Sequence, residues 1–270
     1  MRPSFPMVLA TTLLTSLGSP LPAHEFWISP ERYQIAPGEA IIAELRVGEN
    51  LSGAGYPYIP ARANQHYILQ NGVAIDPGTR MGDRPALDKV LETPGLAIIV
   101  HETADSILTY RDWKKFAKFT TTKDLGWAQE LHIERGLPET GFRESYRRYG
   151  KALVGVGQAT GSDQMLGLLT EVVALANPYT DTINGRMPLQ VFAYGVPRVD
   201  AQVEVFARDP EGEVTVTQYR TDSEGKVSVP VTPDTEYLID SVLMEKRSPS
   251  EDGKPVWHSI WASLSFKVPG

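Results

Sequence analysis

The sequence contains no cysteine among its 270 residues. This absence excludes disulfide bonds, thiolate metal ligands, a lipid-modified cysteine anchor and catalysis by a thiol. The fold must therefore be held together by its apolar core, and no disulfide-linked partner is expected. An exported chain without disulfides fits the periplasm of a bacterium.

Long hydrophobic runs are also missing, apart from one at the N-terminus. Residues 1–23 combine a positive charge at Arg2, an apolar run from Met7 to Leu17 and a proline-rich end before Ala23. This pattern predicts a secretory signal peptide cleaved after Ala23, because the apolar run is shorter than the ~20 residues that span a bilayer. We therefore expect a periplasmic mature protein without a membrane-spanning segment.

The common catalytic signatures are absent as well. There is no Gly-x-Ser-x-Gly elbow, no His-Glu-x-x-His helix and no phosphate-binding loop. We therefore expect a protein that is not an enzyme. The net charge of −7 argues against nucleic acid and anionic lipid as partners.

What is present is a pattern of short strands separated by turns. Residues 41–47 alternate in the manner of a half-buried strand. Asn71-Gly72 lies between two further strand-like runs and predicts a hairpin, because Asn-Gly adopts the positive φ angles of a type I′ turn. From Met187 onward, six or seven short strand-like runs follow one another.

These patterns predict a mainly β fold with two immunoglobulin-like β-sandwich regions. The first occupies residues 24–178 and contains a helical insert at about residues 108–154. The second occupies residues 187–270. The last helix of the insert is predicted from an i, i+4, i+7, i+11 stripe formed by Phe142, Tyr146, Tyr149 and Leu153.

Histidine is the remaining source of chemistry, and there are five of them. Cleavage after Ala23 makes His24 the first residue of the mature chain. Its free α-amino group and its imidazole Nδ1 then form a ready chelate, and a second imidazole would complete a three-nitrogen histidine brace. Such a site favours copper(II), followed by nickel. The alternative is that His24 is first in the mature chain by chance.

His101 and His66 are the candidates for the second imidazole. His101 lies near the end of the predicted strand 96–103, and His66 begins the predicted hairpin. Either could equally be an ordinary strand histidine. For His132 we expect a local charge pair with Glu130 or Glu134. For His258 we expect a hydrogen-bonded position at the edge of the core.

Several segments resemble one family. The stretch AHEFWISPERYQIAPGEAIIAELRVGE after the signal peptide is similar to the DUF4198 family of bacterial periplasmic proteins. ESYRRYGKALVGVG (144–157), LANPY (175–179) and WHSIWASLSF (257–266) are similar to it as well. The resemblance implies β-sandwich modules with a helical insert, and a label as a nickel- or cobalt-uptake component of NikM type.

Together these observations predict a periplasmic protein that binds nickel, cobalt or copper for uptake or trafficking. His24 would hold the metal with His101 or His66, and the partner would be a membrane metal transporter or a TonB-type receptor. One alternative is a structural or interaction module of the periplasm without a metal. Another is a copper monooxygenase that uses the same histidine brace.

Overall fold

The structure of the protein is a computed structural model that describes residues 24–248 and 253–270. The predicted mainly β fold is confirmed. The predicted signal peptide, residues 1–23, lies outside the described residues. Within those residues no helix is long and apolar enough to cross a membrane.

The described residues form 18 strands and two α-helices. The strands of the first half are β1 (Glu25–Pro30), β2 (Gln34–Ile35), β3 (Ala40–Glu49), β4 (Ser52–Tyr56), β5 (Ala63–Gln70), β6 (Val73–Ile75), β7 (Leu87–Val90), β8 (Gly95–Thr103), β9 (Ser106–Tyr110) and β10 (Phe142–Val156). The helices between β9 and β10 are α1 (Trp113–Thr122) and α2 (Trp127–Glu134). The remaining strands are β11 (Thr170–Ala174), β12 (Arg186–Ala193), β13 (Val196–Pro197), β14 (Gln202–Arg208), β15 (Val214–Arg220), β16 (Lys226–Pro230), β17 (Glu236–Lys246) and β18 (Trp257–Lys267).

A ten-stranded sheet runs through the whole chain. Its main order is β15-β14-β17-β18-β10-β8-β5-β6, and β2 and β9 also pair with β10. Strand β10 from the first half lies parallel to β18 from the second half. The two predicted β regions are thus joined by one sheet, while their assignment as separate immunoglobulin-like sandwiches at 24–178 and 187–270 stays a prediction.

Two smaller sheets cover opposite faces of this central sheet. The alternating residues of β8 show the arrangement, because successive side chains of a strand point to opposite faces. Ala97 and Ile99 pack in the core beneath the sheet of β1, β3, β4 and β7. Leu96 and Ile98 pack in the core beneath the sheet of β11, β12, β13 and β16. The central strands are therefore buried on both sides.

The two helices lie on the same face as the first small sheet. Phe119 of α1 stacks on Trp261 of β18 with ring centroids 5.5 Å apart, and Phe116 lies 6.0 Å from Trp257. Trp257 and Trp261 lie on the same face of β18 and pack in one core. Their partner is the helical segment of the same chain.

The predicted third helix is wrong, because residues 142–156 form the long strand β10. Its apparent stripe is divided between two cores: Phe142 and Tyr146 face the helices, whereas Tyr149 and Leu153 face the second small sheet. A strand with apolar neighbours on both faces loses the alternation that identifies strands, so helical spacing can arise by coincidence. The hairpin prediction is confirmed, since Asn71 (φ 51°) and Gly72 (φ 77°) connect β5 to β6.

Gly150 allows the first small sheet to approach the central sheet closely. A Cβ atom at this position would lie 2.7 Å from Cε1 of Phe26, and the Phe26 side chain is buried.

We expect Gly150→Ala to lower the free energy of unfolding by about 1–3 kcal/mol, because the added methyl group overpacks the core. Chemical denaturation measures this change. Gly126→Ala is the control, because a Cβ there meets nothing within 4 Å; an equal loss in both variants would contradict the prediction.

Candidate functional site

His24 precedes β1 and lies opposite the end of β3. The antiparallel register pairs Glu25 with Gly48, which brings His24 next to Glu49. The imidazole Nδ1 lies 3.4 Å from Oε1 of Glu49. Nδ1 is buried and accepts or donates no hydrogen bond within the described residues, so the carboxylate is a close neighbour without hydrogen-bond geometry. Arg148 donates from Nη2 to the carbonyl oxygen of His24 at 3.0 Å and fixes the backbone here.

These groups fit a small transition-metal site. Imidazole nitrogen and carboxylate oxygen are both ligands for copper, nickel and cobalt. A buried nitrogen without a hydrogen-bond partner is uncommon, and a bound cation would satisfy it. If cleavage frees the amine of His24, the amine, Nδ1 and the Glu49 carboxylate supply three donor atoms. Sequence reasoning missed Glu49, because its proximity depends on the register between β1 and β3.

His66 and His101 form a separate pair on neighbouring strands. They are directly opposite each other in the β5–β8 register, and their Nδ1 atoms lie 3.2 Å apart. Tyr58 stacks on His66 with ring centroids 4.9 Å apart, and Phe26 lies against His101 at 5.6 Å. The two residues predicted as alternative ligands are thus in contact with each other.

The hydrogen bonds of the pair determine where its protons are. Nε2 of His66 lies 3.1 Å from the carbonyl oxygen of Ala86, which can only accept, so Nε2 carries the proton. His66 Nδ1 then accepts a hydrogen bond from Nδ1 of His101, and Nε2 of His101 retains its lone pair. Burial, with a smaller contribution from His66, lowers the pKa of His101 to about 3; burial also lowers the pKa of His66. Both rings are therefore neutral at pH 7.

The three predicted ligands do not converge on one point. Within residues 24–248 and 253–270, the one group of three residues whose ligating atoms all lie within 4.8 Å is Glu25, Glu204 and Asp240. Phe26, two residues after His24, places its ring against His101. Metal binding by His24 with His101 or His66 stays a prediction, and the carboxylate of Glu49 lies 3.4 Å from the imidazole of His24.

The last two histidines are structural. His258 hydrogen-bonds through Nδ1 to Oγ of Ser145 at 2.8 Å, as expected for the edge of the core. The charge pair expected for His132 is wrong. Its Nδ1 accepts from Nε1 of Trp257 at 3.0 Å, and its Nε2 donates to the carbonyl oxygen of Pro138. Packing of α2 against β18 decides this contact, which local sequence cannot reveal.

A cavity of about 490 Å³ opens between the first small sheet and the central sheet. Its walls combine apolar side chains from β3, β4, β9 and β18 with polar groups from β8 and β10. The polar and aromatic side chains that line it include Tyr56, Arg62, His101, Glu144, Tyr146, Arg148 and Trp261. A volume of this size is in the range of small-molecule sites and far exceeds that of one metal ion.

Glu144 is the buried carboxyl group of this cavity. It accepts hydrogen bonds from the hydroxyl of Tyr110 at 2.7 Å and from the hydroxyl of Ser259, which in turn accepts from Nε1 of Trp261. Burial raises the pKa of Glu144 to about 7, although the two hydroxyl groups and Arg148 oppose the shift. Perturbed carboxyl groups in cavities are common at functional sites.

The group of three carboxylates already holds a cation of the protein itself. Nζ of Lys123 lies 2.9 Å from Glu25 and 3.0 Å from Asp240, and it also pairs with Glu204. Burial acts to lower the pKa of Lys123, but the attraction of the three carboxylates outweighs it, so the pKa is raised. Burial and the two neighbouring carboxylates raise the pKa of Asp240 to about 7, with Lys123 opposing. The arrangement is an internal ion cluster, which we call the Lys123 cluster.

A family model described as "Domain of unknown function (DUF4198)" matches residues 21–245. The chain belongs to the DUF4198 family. The match includes His24, Glu49 and the cavity except for Trp261. The NikM-type label does not follow from it. No curated protein sequence matches this DUF4198 chain.

Solved structures offer only distant similarity to this DUF4198 protein. A tetra-tandem repeat in the extending region of a large adhesion protein matches with 11% identity and a TM-score of 0.23; the match covers 91% of this chain and 50% of the other. The D0-D1 domain of intimin matches with 11% identity and a TM-score of 0.21, over 89% and 97% of the two chains. A mutant of Salmonella alpha-2-macroglobulin matches with 11% identity and a TM-score of 0.24, over 92% and 15%. This chain thus spans about half the length of the adhesion protein fragment.

The Lys123 cluster predicts a large effect of removing its lysine. We expect Lys123→Met to lower the free energy of unfolding by about 3–5 kcal/mol, because three buried carboxylates lose their partner. Chemical denaturation of the purified variant measures the change. Lys118→Met, at an exposed position of the same helix, is the matched control. Equal stability of the two variants would show that Lys123 does not compensate the negative charge of the three buried carboxylates.

Glu144 predicts a dependence of stability on pH. Its pKa is higher in the folded than in the unfolded protein, so the folded state binds the additional proton between about pH 4.5 and pH 7. The contribution of Glu144 to the free energy of unfolding therefore falls as pH rises through this window, by at most ~1.4 kcal/mol per pH unit. We expect Glu144→Gln to remove this dependence, so wild-type stability should decline relative to the variant from pH 4.5 to pH 7. Denaturation series at several pH values measure the difference, and a constant difference would refute the assignment.

Proposed function

We propose that this protein binds a transition-metal ion in the periplasm, with the processed N-terminal His24 as the principal ligand. The observation that carries the proposal is the buried Nδ1 of His24, which has no hydrogen-bond partner within the described residues and lies 3.4 Å from Oε1 of Glu49. After cleavage behind Ala23, the amine and Nδ1 of His24 would chelate the ion, and Glu49 would add a carboxylate oxygen. Copper(II) or nickel(II) suits such mixed nitrogen and oxygen ligands best, followed by cobalt.

The surroundings of His24 support a fixed position for these donors. Glu25 is held by Lys123, Phe26 is buried against Tyr56 and His101, and Trp27 is almost completely buried. A metal site whose backbone is already ordered loses less conformational entropy when it binds. We propose that the bound ion is cargo for uptake or trafficking, passed to a membrane metal transporter or a TonB-type receptor.

His101 and His66 retain a place in the proposal as neutral imidazoles on the adjoining strands. Neutral imidazole is the form that binds metals, and the bond between His66 and Ala86 fixes the tautomer of the pair. The ring of Phe26 packs on His101, so a contribution from His101 depends on the position of this ring. A contribution from Glu49 needs only rotation of a half-exposed side chain.

Calorimetric titration with Cu(II) and Ni(II) tests the proposal. We expect the protein that begins at His24 to bind one ion at least tenfold more tightly than the same protein with Ala23 retained, because the additional residue converts the amine of His24 to an amide. His24→Ala and Glu49→Gln should each weaken binding. Glu31→Gln, at an exposed carboxylate directly after β1, is the control.

Two results would change the proposal. Equal affinity with and without Ala23 would exclude the amine as a ligand. A loss of affinity in His101→Asn as large as that in His24→Ala would identify His101 as a ligand and bring the histidine brace into the site. Unchanged affinity in His101→Asn would leave His24 and Glu49 as the protein ligands.

A further inference from the structure

The cavity between the first small sheet and the central sheet has features that a metal ion does not explain. Its volume of about 490 Å³ suits an organic molecule, since one water occupies ~30 Å³ of liquid. Most of its lining is apolar, with Leu45, Val47, Leu108 and the indole of Trp261 among the walls. Such walls favour a ligand with an apolar or aromatic body.

Arg148 gives this cavity a preference for negative charge. Its guanidinium group uses Nη2 to hold the carbonyl oxygen of His24, while its Nε is buried and has no hydrogen-bond partner within the described residues. The group lies 4.6 Å from the ring centroid of Tyr146 and 5.8 Å from that of Trp261, which restrains its plane. Arginine donors held in a plane match the two oxygens of a carboxylate.

Glu144 lies near enough to Arg148 for the arginine to oppose the rise in its pKa, but it does not form an ion pair with either arginine of the cavity within the described residues. Within residues 24–248 and 253–270, neither Arg148 nor Arg62 forms an ion pair, and Arg62 is exposed and also lines the cavity. Glu144 is the acidic side chain among the lining residues, but both of its oxygens accept hydrogen bonds from the hydroxyl groups of Tyr110 and Ser259. The positively charged donors of the cavity therefore come from Arg148 and Arg62, and the hydroxyl-bearing side chains of Tyr56, Tyr146 and Ser106 also line it.

We propose that this cavity binds a small organic anion whose carboxylate pairs with Arg148 and Arg62 and whose apolar or aromatic body packs on Trp261 and Tyr146. This site is distinct from the proposed metal donors, because its anchoring groups are guanidinium groups and aromatic faces. Arg148 nevertheless connects the two, since it also holds the backbone of His24. An anion bound to Arg148 would therefore lie next to the residue that bears the proposed metal ligand.

Matched probe pairs test this inference on the whole mature protein in the absence of metal. The probes are benzoate, 2-naphthoate and biphenyl-4-carboxylate, each with its uncharged carboxamide, and calorimetry together with ligand-observed NMR measures the binding. We expect at least one carboxylate to bind at least tenfold more tightly than its carboxamide. Arg148→Gln should reduce this ratio to less than twofold, and Arg62→Gln should reduce it partially. Arg80→Gln, at an exposed arginine that does not line the cavity, is the control and should leave the ratio unchanged.

A second variant blocks the cavity without changing Arg148, which also holds the carbonyl oxygen of His24. Ala54 is exposed and lines the cavity, so Ala54→Phe should obstruct the mouth without disturbing the core. We expect this variant to lose at least tenfold in affinity for carboxylate and carboxamide alike, with an unchanged unfolding midpoint. Equal affinity for the two members of every pair would overturn the anion preference. Binding that Ala54→Phe does not weaken, or no binding by any probe, would overturn the site itself. Neither result bears on the metal titration, which uses different variants.

Discussion

The Lys123 cluster is the interaction on which the arrangement of the N-terminal strand depends. Lys123 ends helix α1, and its three carboxylate partners come from β1, β14 and β17. A buried ammonium group is costly unless charged partners surround it, and three buried carboxylates are costly without a cation. The cluster therefore forms only when the helix, the first strand and the second half of the chain are all in place. Glu25, which follows His24, is fixed by this requirement.

The central sheet explains why two different kinds of site lie close to the same strand. Its β10 strand pairs with strands of both halves of the chain and presents Glu144, Tyr146 and Arg148 toward the first small sheet. The cavity lies above these residues. At the end of β1, Arg148 reaches the carbonyl oxygen of His24, whose imidazole faces Glu49. The double-sided core thus places the proposed metal donors and the proposed anion-binding cavity at one edge of the first small sheet.

The sequence predicted the class of the fold better than it predicted the individual strands and the contacts between them. The Asn71-Gly72 hairpin was readable because two residues determine the turn. Strand β10 was misread as a helix because apolar residues on both faces hide the period of two. Of the candidate ligands, the contact between His66 and His101 could not be read, since it depends on a register between strands 35 residues apart.

Local chemistry was determined by the sequence itself: the absence of thiols, the mainly β class, and a histidine directly after the predicted signal peptide. Tertiary structure decided which groups meet. It placed Glu49 beside His24, enclosed Lys123 among three acids and gathered Arg62 and Arg148 around one cavity. The physical reason is that side-chain contacts across a sheet depend on register and on the layers packed above it. Both are properties of the complete core, and no single segment encodes them.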